Sequence, residues 1–312
     1  MSEMQPEPPA LPALDVVIAT RNRPELLREA LTAVLGQSYP GQITVHVVFD
    51  QSPIDESLAA AADGLTNRRV VTLGNDRTPG LAGARNSGIL AGSAPWVAFC
   101  DDDDVWLPQK AERQIAELLR SGADTVVSGI VVEYDGERTE RVPAATDLAL
   151  AALVRNRVME AHPSTVIVRR SALLDGIGLV DEEIPGSYGE DFDWIIRAAQ
   201  HGPIVLAAAP LVRVRWGGSQ FSQNWDVIVR AIDYGLVKHQ VFHTDRRALA
   251  RLQGRRAFAL AALRRPGALR AACQTARTAP SERRAYLAAA VALRLVSAER
   301  LLDLAHRRGH GI

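Results

Sequence analysis

Four consecutive aspartates, Asp101, Asp102, Asp103 and Asp104, follow the apolar run Trp96–Cys100 and precede Val105-Trp106-Leu107-Pro108. The apolar run predicts a buried parallel strand, with the carboxylates at its carboxyl end. Four carboxylates this close repel one another strongly, and a divalent cation would relieve that repulsion. In extended backbone, residues i and i+2 share a face, so Asp101 and Asp103 can address one ion and its bound phosphates. Hard oxygen ligands suit Mg²⁺ or Mn²⁺. The competing reading is a solvated acidic cluster capping the next helix, where acids are favoured.

Other polar residues stand at comparable positions. Thr20-Arg21-Asn22 follows the apolar run Asp15–Ala19, and Asp50 follows Thr44–Phe49. Arg85 and Asn86 lie in the segment Gly80-Leu81-Ala82-Gly83-Ala84-Arg85-Asn86-Ser87-Gly88. They are candidates for diphosphate or ribose contacts, against ordinary roles as a surface cation and a helix-start polar residue. Glu190 and Asp191 open a helical pattern whose apolar face begins at Trp194, Ile195 and Ile196. Acids at a helix start are common structural caps, but one carboxylate here is a candidate general base.

The elements that must position these residues alternate strand and helix. That alternation predicts a parallel sheet with helices on both faces. In such sheets ligands bind outside the carboxyl ends of the strands. Thr20-Arg21-Asn22, Asp50 and the acidic run all fall there. A nucleotide fits that placement, with base and ribose near the first two and the diphosphate at the metal. Neither G-x-G-x-x-G nor G-x-x-x-x-G-K-[ST] spacing occurs, which disfavours a dinucleotide fingerprint and a P-loop.

Several local expectations follow. Asn22 with Glu25 fits a capping box. Val126–Val132 reads as a strand interrupted at Ser128-Gly129, Thr165–Val168 as another, and Leu211–Trp216 as the last. Gly217-Gly218-Ser219 reads as a flexible loop able to cover a ligand. Tyr286–Ala305 reads as one amphipathic helix.

The chain has 312 residues, 47% of them hydrophobic, and no net formal charge. The charge is unevenly spread. Residues 245–312 carry 15 arginines, no lysine and 4 acids, a net of +11, which leaves −11 on the first 244. An acidic body with a basic tail points to an anionic surface or acceptor; the alternative is a set of arginine-rich solvated helix faces. The C-terminal helices are expected to pack on the catalytic domain, to contact a second subunit as a homodimer, or to lie peripherally on a membrane. Cys100 and Cys273 lack metal-ligand spacing. The Pro-rich start reads as a disordered tail rather than a signal peptide. No run reaches the length of a membrane span, and a cytoplasmic location, peripheral at the inner face of the membrane, is the expectation. No nucleic-acid partner is expected.

With these residues in view, the chain resembles a family 2 glycosyltransferase of the GT-A fold. Thr20-Arg21-Asn22-Arg23-Pro24 is similar to that family's first-strand sequel, and Val47-Val48-Phe49-Asp50 to its second-strand aspartate. Gly83-Ala84-Arg85-Asn86-Ser87-Gly88 resembles its ARNxG segment, and Phe99–Pro108 its DxD region with the Trp-x-Pro sequel. Tyr188-Gly189-Glu190-Asp191-Phe192-Asp193-Trp194 resembles its Glu-Asp acceptor-site motif. The match runs from about Leu14 to Ser222; each motif is weak alone, but five in the right order are specific.

The resemblance implies an α/β fold of the GT-A type, a Rossmann-like, mostly parallel sheet with helices on both faces; the nearly all-helical pattern from Trp225 onward adds a C-terminal helical extension. The expected organisation is a tail over residues 1–13, a GT-A domain over 14–222 and a helical region over 223–312. It implies metal-dependent, inverting transfer from a nucleotide-diphosphate sugar, UDP-linked, to a hydroxyl acceptor such as a cell-envelope glycan or a lipid-linked species. Thr20, Asn22 and Asp50 would hold the nucleoside, and Asp101 and Asp102 would sit by ribose and phosphate. Asp103 would coordinate the metal, Asp191 would be the base and Glu190 an acceptor contact. Trp216 stands where many members carry a His; it and Trp194 are candidate acceptor contacts, against core packing. The competing function is a degenerate nucleotide-sugar binding or interaction module without turnover.

Overall fold

A computed structural model describes residues 11–216 and 224–306, with side chains as far as Leu302. Residues 1–10 of the expected tail and the loop at Gly217-Gly218-Ser219 lie outside the described residues. The chain divides into two compact units. The first comprises Met1–Ala149, Val158–Glu182 and Trp194–Gly217; the second comprises Leu150–Arg157, Glu183–Asp193 and Gly218–Ile312.

The first unit is built on a nine-stranded sheet. In chain order the strands are β1 (Leu14–Thr20), β2 (Ile43–Phe49), β3 (Arg68–Gly74), β4 (Trp96–Phe99), β5 (Val105–Trp106), β6 (Thr125–Tyr134), β7 (Glu137–Arg141), β8 (Ile167–Arg169) and β9 (Ile204–Arg215). They lie in the order β3-β2-β1-β4-β8-β6-β9-β5, with β7 paired to β6. The pairs β3-β2, β2-β1, β1-β4 and β6-β9 are parallel. Those of β8, β7 and β5 are antiparallel. The sheet is therefore mostly parallel, with antiparallel insertions.

Strand β1 is buried along its whole length, as expected of a central parallel strand with both faces covered. Helices α1 (Pro24–Leu35), α2 (Leu81–Ala91) and α3 (Lys110–Ser121) pack on this sheet. Leu27, Leu31 and Val34 of α1 and Ile115 and Leu118 of α3 join the strand residues in one core. A short helix α5 (Arg170–Ala172) follows β8.

Helix α2 lies unusually close to the sheet. A Cβ at Gly88 would meet Val17 Cγ1 at 2.5 Å and Val48 Cγ2 at 3.0 Å. The segment after Ile177 is clamped to the same helix. Asn86 Nδ2 donates to Val180 O at 2.8 Å and to Glu182 Oε1 at 2.7 Å, while Asn86 Oδ1 accepts from Val180 N at 2.9 Å. Arg77 Nε and the Thr78 amide also donate to Glu182. Burial opposes ionisation of Glu182, but the bonds from Asn86, Arg77 and Thr78 outweigh it and pull its carboxyl down to about 2.

The second unit is helical. It contains α4 (Leu150–Arg155), the start of α6 (Glu190–His201), α7 (Trp225–Lys238), α8 (Arg246–Ala262), α9 (Ala268–Thr278), α10 (Arg283–Ala292) and α11 (Ala298–His306). Its core gathers Ile228 and Ile232 of α7, Phe258 of α8, Ala272 of α9, Ala288 of α10 and Ala298 of α11. Small alanines let these helices approach closely, so the unit needs few large side chains. Among the described residues no helix is long and apolar enough to cross a membrane.

Several local expectations are corrected. The Asn22–Glu25 capping box does not form: Arg23 occupies the cap position without a side-chain cap bond, and Pro24 opens the helix. Asn22 instead adopts φ 55°, a left-handed conformation that Asn tolerates better than most residues. Ser128-Gly129 does not interrupt a strand; β6 runs through it, and the register shifts there because β9 carries extra residues between Ala207 and Val212. The bulge accommodates Pro210, which has no N–H to give the ladder. Accordingly β9 starts at Ile204, well before the expected Leu211. Thr165 ends a 3₁₀ turn, Pro163–Thr165, and β8 follows it. The single helix expected over Tyr286–Ala305 is two helices, broken where Arg294 turns to φ 61° and Ser297 accepts the Arg300 amide.

Two outcomes test this packing. Gly88→Ala should lower the unfolding free energy by about 1–3 kcal/mol, the range for overpacking a tight interface, measured by urea denaturation. Glu182→Gln should cost about 1–2 kcal/mol at pH 7, a value discounted for solvent screening. Because the folded carboxyl lies below its ordinary 4.5, this contribution is present above that pH and is lost as the pH falls toward about 2. The wild type and Glu182→Gln should therefore converge in acid; a gap independent of pH would contradict the ionic clamp.

Candidate active site

The carboxyl ends of β1, β2 and β4 bring three predicted elements onto one edge of the first unit. Thr20 pairs in register with Phe49, and Val17 with Phe99, so the segments that follow leave the sheet side by side. The acidic run is tied directly to the end of β1. Thr20 Oγ1 donates to Asp102 Oδ2 at 2.8 Å. Arg23 Nη1 donates to Asp102 at 3.1 Å and to Asp103 at 3.0 Å. Arg85 of α2, itself buried, donates to Asp101 at 2.6 Å. Ser164 Oγ donates to Asp104 at 2.5 Å and accepts the Asp101 amide at 2.9 Å.

These donors do not neutralise the run. Burial, then mutual repulsion, raise Asp102, Asp103 and Asp104 above the ordinary carboxylate range, Asp104 well above it. Asp102 and Asp104 are enclosed, whereas the Asp101 and Asp103 side chains are 30% and 42% exposed. Asp101, Asp104 and His162 each offer an atom within 4.8 Å of one another. His162 and Ser164 lie just before β8 and carry no motif that would have linked them to the acidic run.

Asp50 is buried at the end of β2. Its Oδ1 accepts from Asn75 Nδ2 at 2.8 Å and from the Gly80 amide at 3.0 Å, and its Oδ2 accepts from Gln51 Nε2 at 3.2 Å. Asp50 thus fixes the loop that leads into α2. That loop also needs Gly83, where a Cβ would meet Thr78 O at 2.0 Å. Asn22 is exposed beside this edge.

Two expectations are corrected by their surroundings. Asn86 is buried, and its amide is bonded to Val180 and Glu182, so it serves the clamp on α2 rather than a ribose or diphosphate. Trp194 is a core residue: it is 4% exposed, its ring meets Phe99 edge-on at 6.2 Å and its Nε1 donates to Gly178 O. Trp216 packs partly against the core, with the Arg141 guanidinium 4.6 Å from its ring centre.

Glu190 and Asp191 open α6 within the second unit. Asp191 Oδ2 accepts from Arg157 Nη2 at 2.5 Å, and its Oδ1 accepts its neighbour's amide, Phe192 N, at 2.8 Å. Asp191 in turn is the main cause of the raised Arg157 guanidinium. Glu190 is buried nearby. Asp193 is bonded to His239 Nε2 at 2.7 Å and Lys238 Nζ at 2.6 Å, and it secures this first turn to the end of α7. Arg157 was not singled out in the sequence, because a lone arginine after a short helix has no pattern of its own.

Known proteins bear on this arrangement. The family model described as glycosyl transferase family 2 matches residues 15–175. The succinoglycan biosynthesis protein ExoO of Rhizobium meliloti (strain 1021) is 32% identical over 146 residues, 46% of this chain and 41% of its own length. The amylovoran biosynthesis glycosyltransferase AmsE of Erwinia amylovora is 27% identical over 222 residues, covering 68% of this chain and 80% of its own. Among solved structures, S. aureus TarS 1–349 superposes with a TM-score of 0.61 at 18% identity, over 95% of this chain and 92% of that one. TarS 1–349 has also been solved with UDP-GlcNAc. The likeness to TarS carries the GT-A fold, and the family match spans more than half of the sequence: this chain belongs to glycosyl transferase family 2 and is a glycosyltransferase.

Proposed function

We propose that the enzyme transfers a sugar, with inversion, from a UDP-linked donor to a hydroxyl of a cell-envelope glycan or lipid-linked acceptor. The observation that carries this reading is the acidic run bonded to Thr20 and Arg23 at the carboxyl ends of β1 and β4. That is where a parallel sheet receives a nucleotide. The complex of TarS with UDP-GlcNAc supports a uridine donor, and the AmsE name supports a glycan product.

In this reading Thr20, Asn22 and Asp50 line the nucleoside, and Asp101 and Asp102 face ribose and phosphate. The carboxylate repulsion at the run fits a divalent cation, Mn²⁺ or Mg²⁺, held by Asp103 together with Asp101, the two solvent-facing members. Such an ion supplies Lewis-acid stabilisation of a diphosphate leaving group. Arg23 and Arg85 hold the carboxylates in place for it.

Asp191 is the proposed base. An acceptor hydroxyl is a poor nucleophile, and a carboxylate that accepts its proton as attack develops lowers the barrier. Arg157 holds Asp191 Oδ2 and the Phe192 amide holds Oδ1, which together fix the carboxylate's orientation toward the hydroxyl whose proton it would accept. Glu190 beside it is the proposed acceptor contact. Attack opposite the leaving diphosphate inverts the anomeric carbon.

Asp191→Asn should cut transfer about a hundred- to ten-thousand-fold while leaving nucleotide affinity nearly unchanged, read by product formation and calorimetry. Loss of nucleotide binding without a chemical defect would contradict the base assignment. Asp103→Ala should remove the metal dependence of nucleotide binding. Unchanged dependence would move the cation to Asp101, Asp104 and His162. Binding without turnover by any acceptor would favour the degenerate binding module.

A further inference from the structure

The second unit gathers four arginines around the turn that carries Asp191. Arg251 and Arg255 are four residues apart on α8, so they share a face. The Arg251 guanidinium lies 5.2 Å from the Phe192 ring centre and that of Arg255 5.4 Å from Tyr188. Arg157 bonds Asp191, and Arg284 Nη1 bonds Glu282 Oε1 at 3.0 Å. Arg251 Nη2 donates to Val154 O at 3.2 Å, which brings α4 to the same place.

The carboxylates facing this group are Asp191, Glu190 and Glu282. Asp191 and Glu282 are already paired with Arg157 and Arg284. Among the described residues neither Arg251 nor Arg255 forms an ion pair. The Nε atoms of Arg251 and Arg284 are buried without a hydrogen-bond partner. Burial, followed by repulsion from Arg284, Arg255 and Arg157, brings the Arg251 guanidinium down to about 10. Guanidiniums crowded in this way against their own repulsion are matched to an oxyanion, which each can grip with two N–H groups.

We propose that Arg251 and Arg255, with Arg284 and Arg157, form an anion subsite that takes a phosphate or diphosphate group of the acceptor next to Asp191. Its use in transfer rests on the reading of Asp191 as the base. The Arg157–Asp191 pair and the two cation–π contacts give the cluster a role in holding the turn, but they leave the Nε atoms of Arg251 and Arg284 without a partner. The anion would anchor the acceptor so that its hydroxyl meets the carboxylate.

The test is calorimetric titration of the full chain with inorganic pyrophosphate in the absence of divalent cation, which keeps a metal-dependent donor site silent. Saturable binding is expected. It should weaken about tenfold or more in the double variant Arg251→Gln, Arg255→Gln. It should tighten severalfold in Asp191→Asn, which removes the charge paired with Arg157. No binding by the wild type, or equal binding by the double variant, overturns the subsite. If the double variant does not fold, phenylglyoxal footprinting of the wild type decides: pyrophosphate should protect Arg251 and Arg255, and equal modification with and without it overturns the proposal. Tighter binding of farnesyl diphosphate than of pyrophosphate would assign a lipid source; preference for a sugar phosphate would assign a polymer-borne one. The two readings fail separately. Pyrophosphate binding with full activity in Asp191→Asn removes the base and leaves the subsite. Lost activity without pyrophosphate binding removes the subsite and leaves the base.

Discussion

Four carboxylates crowded at the end of one buried strand are the constraint on which the first unit depends. At an effective dielectric constant near 20, two charges about 4 Å apart repel by about 4 kcal/mol. A charge-assisted hydrogen bond returns about 1.5–3 kcal/mol. The protein therefore needs several donors, and each comes from a different element: Thr20 from β1, Arg23 from the start of α1, Arg85 from α2 and Ser164 from the turn before β8. Holding the run in place and joining these elements are the same act. The repulsion that remains is what makes the edge suited to a cation and a diphosphate.

A second set of bonds works behind that edge. Asp50 grips the loop before α2, and α2, through Asn86, grips the segment at Val180–Glu182. Gly83 and Gly88 allow the loop and the sheet to approach that helix closely. A polar side chain in the binding segment can thus be scaffold rather than ligand contact. Asn86 shows this: its type and position suggested a ribose contact, yet its amide is spent on the protein.

Most of the fold was legible because buried parallel strands and amphipathic helices have strong periodicity, as in β1, β2, β4, α1 and α3. The helical pattern after Trp225 was legible in the same way, and the resemblance to the family added the order of the motifs. What failed was local. The Asn22–Glu25 spacing fits a capping box, but Pro24 opened the helix without one, and Asn22 took the left-handed turn instead. Ser128-Gly129 read as a break because a bulge is set by the partner strand, here by Pro210. Alanine-rich segments such as Leu206–Ala209 carry little periodicity, which hid the start of β9. Arg157, His162 and Ser164 join the site only through tertiary contacts, and no spacing rule reaches them.

The helical unit adds a different electrostatic problem, four arginines gathered around Asp191, Glu190 and Glu282. Asp191 and Arg157 pair with one another, while Arg251 and Arg255 lie against the rings of Phe192 and Tyr188, where the proposed anion would add the missing charge. The uneven charge of the sequence, acidic in the body and basic from Asp245 onward, thereby gains a local meaning. In the proposed function the acidic edge receives a nucleotide sugar through a divalent cation. Thermal unfolding of the full chain across a panel of nucleotide sugars, each with and without Mn²⁺, tests it most directly. A rise in Tm with a UDP-sugar that requires Mn²⁺ is the expected result; a folded protein that responds to no donor, or responds equally without the metal, would contradict it.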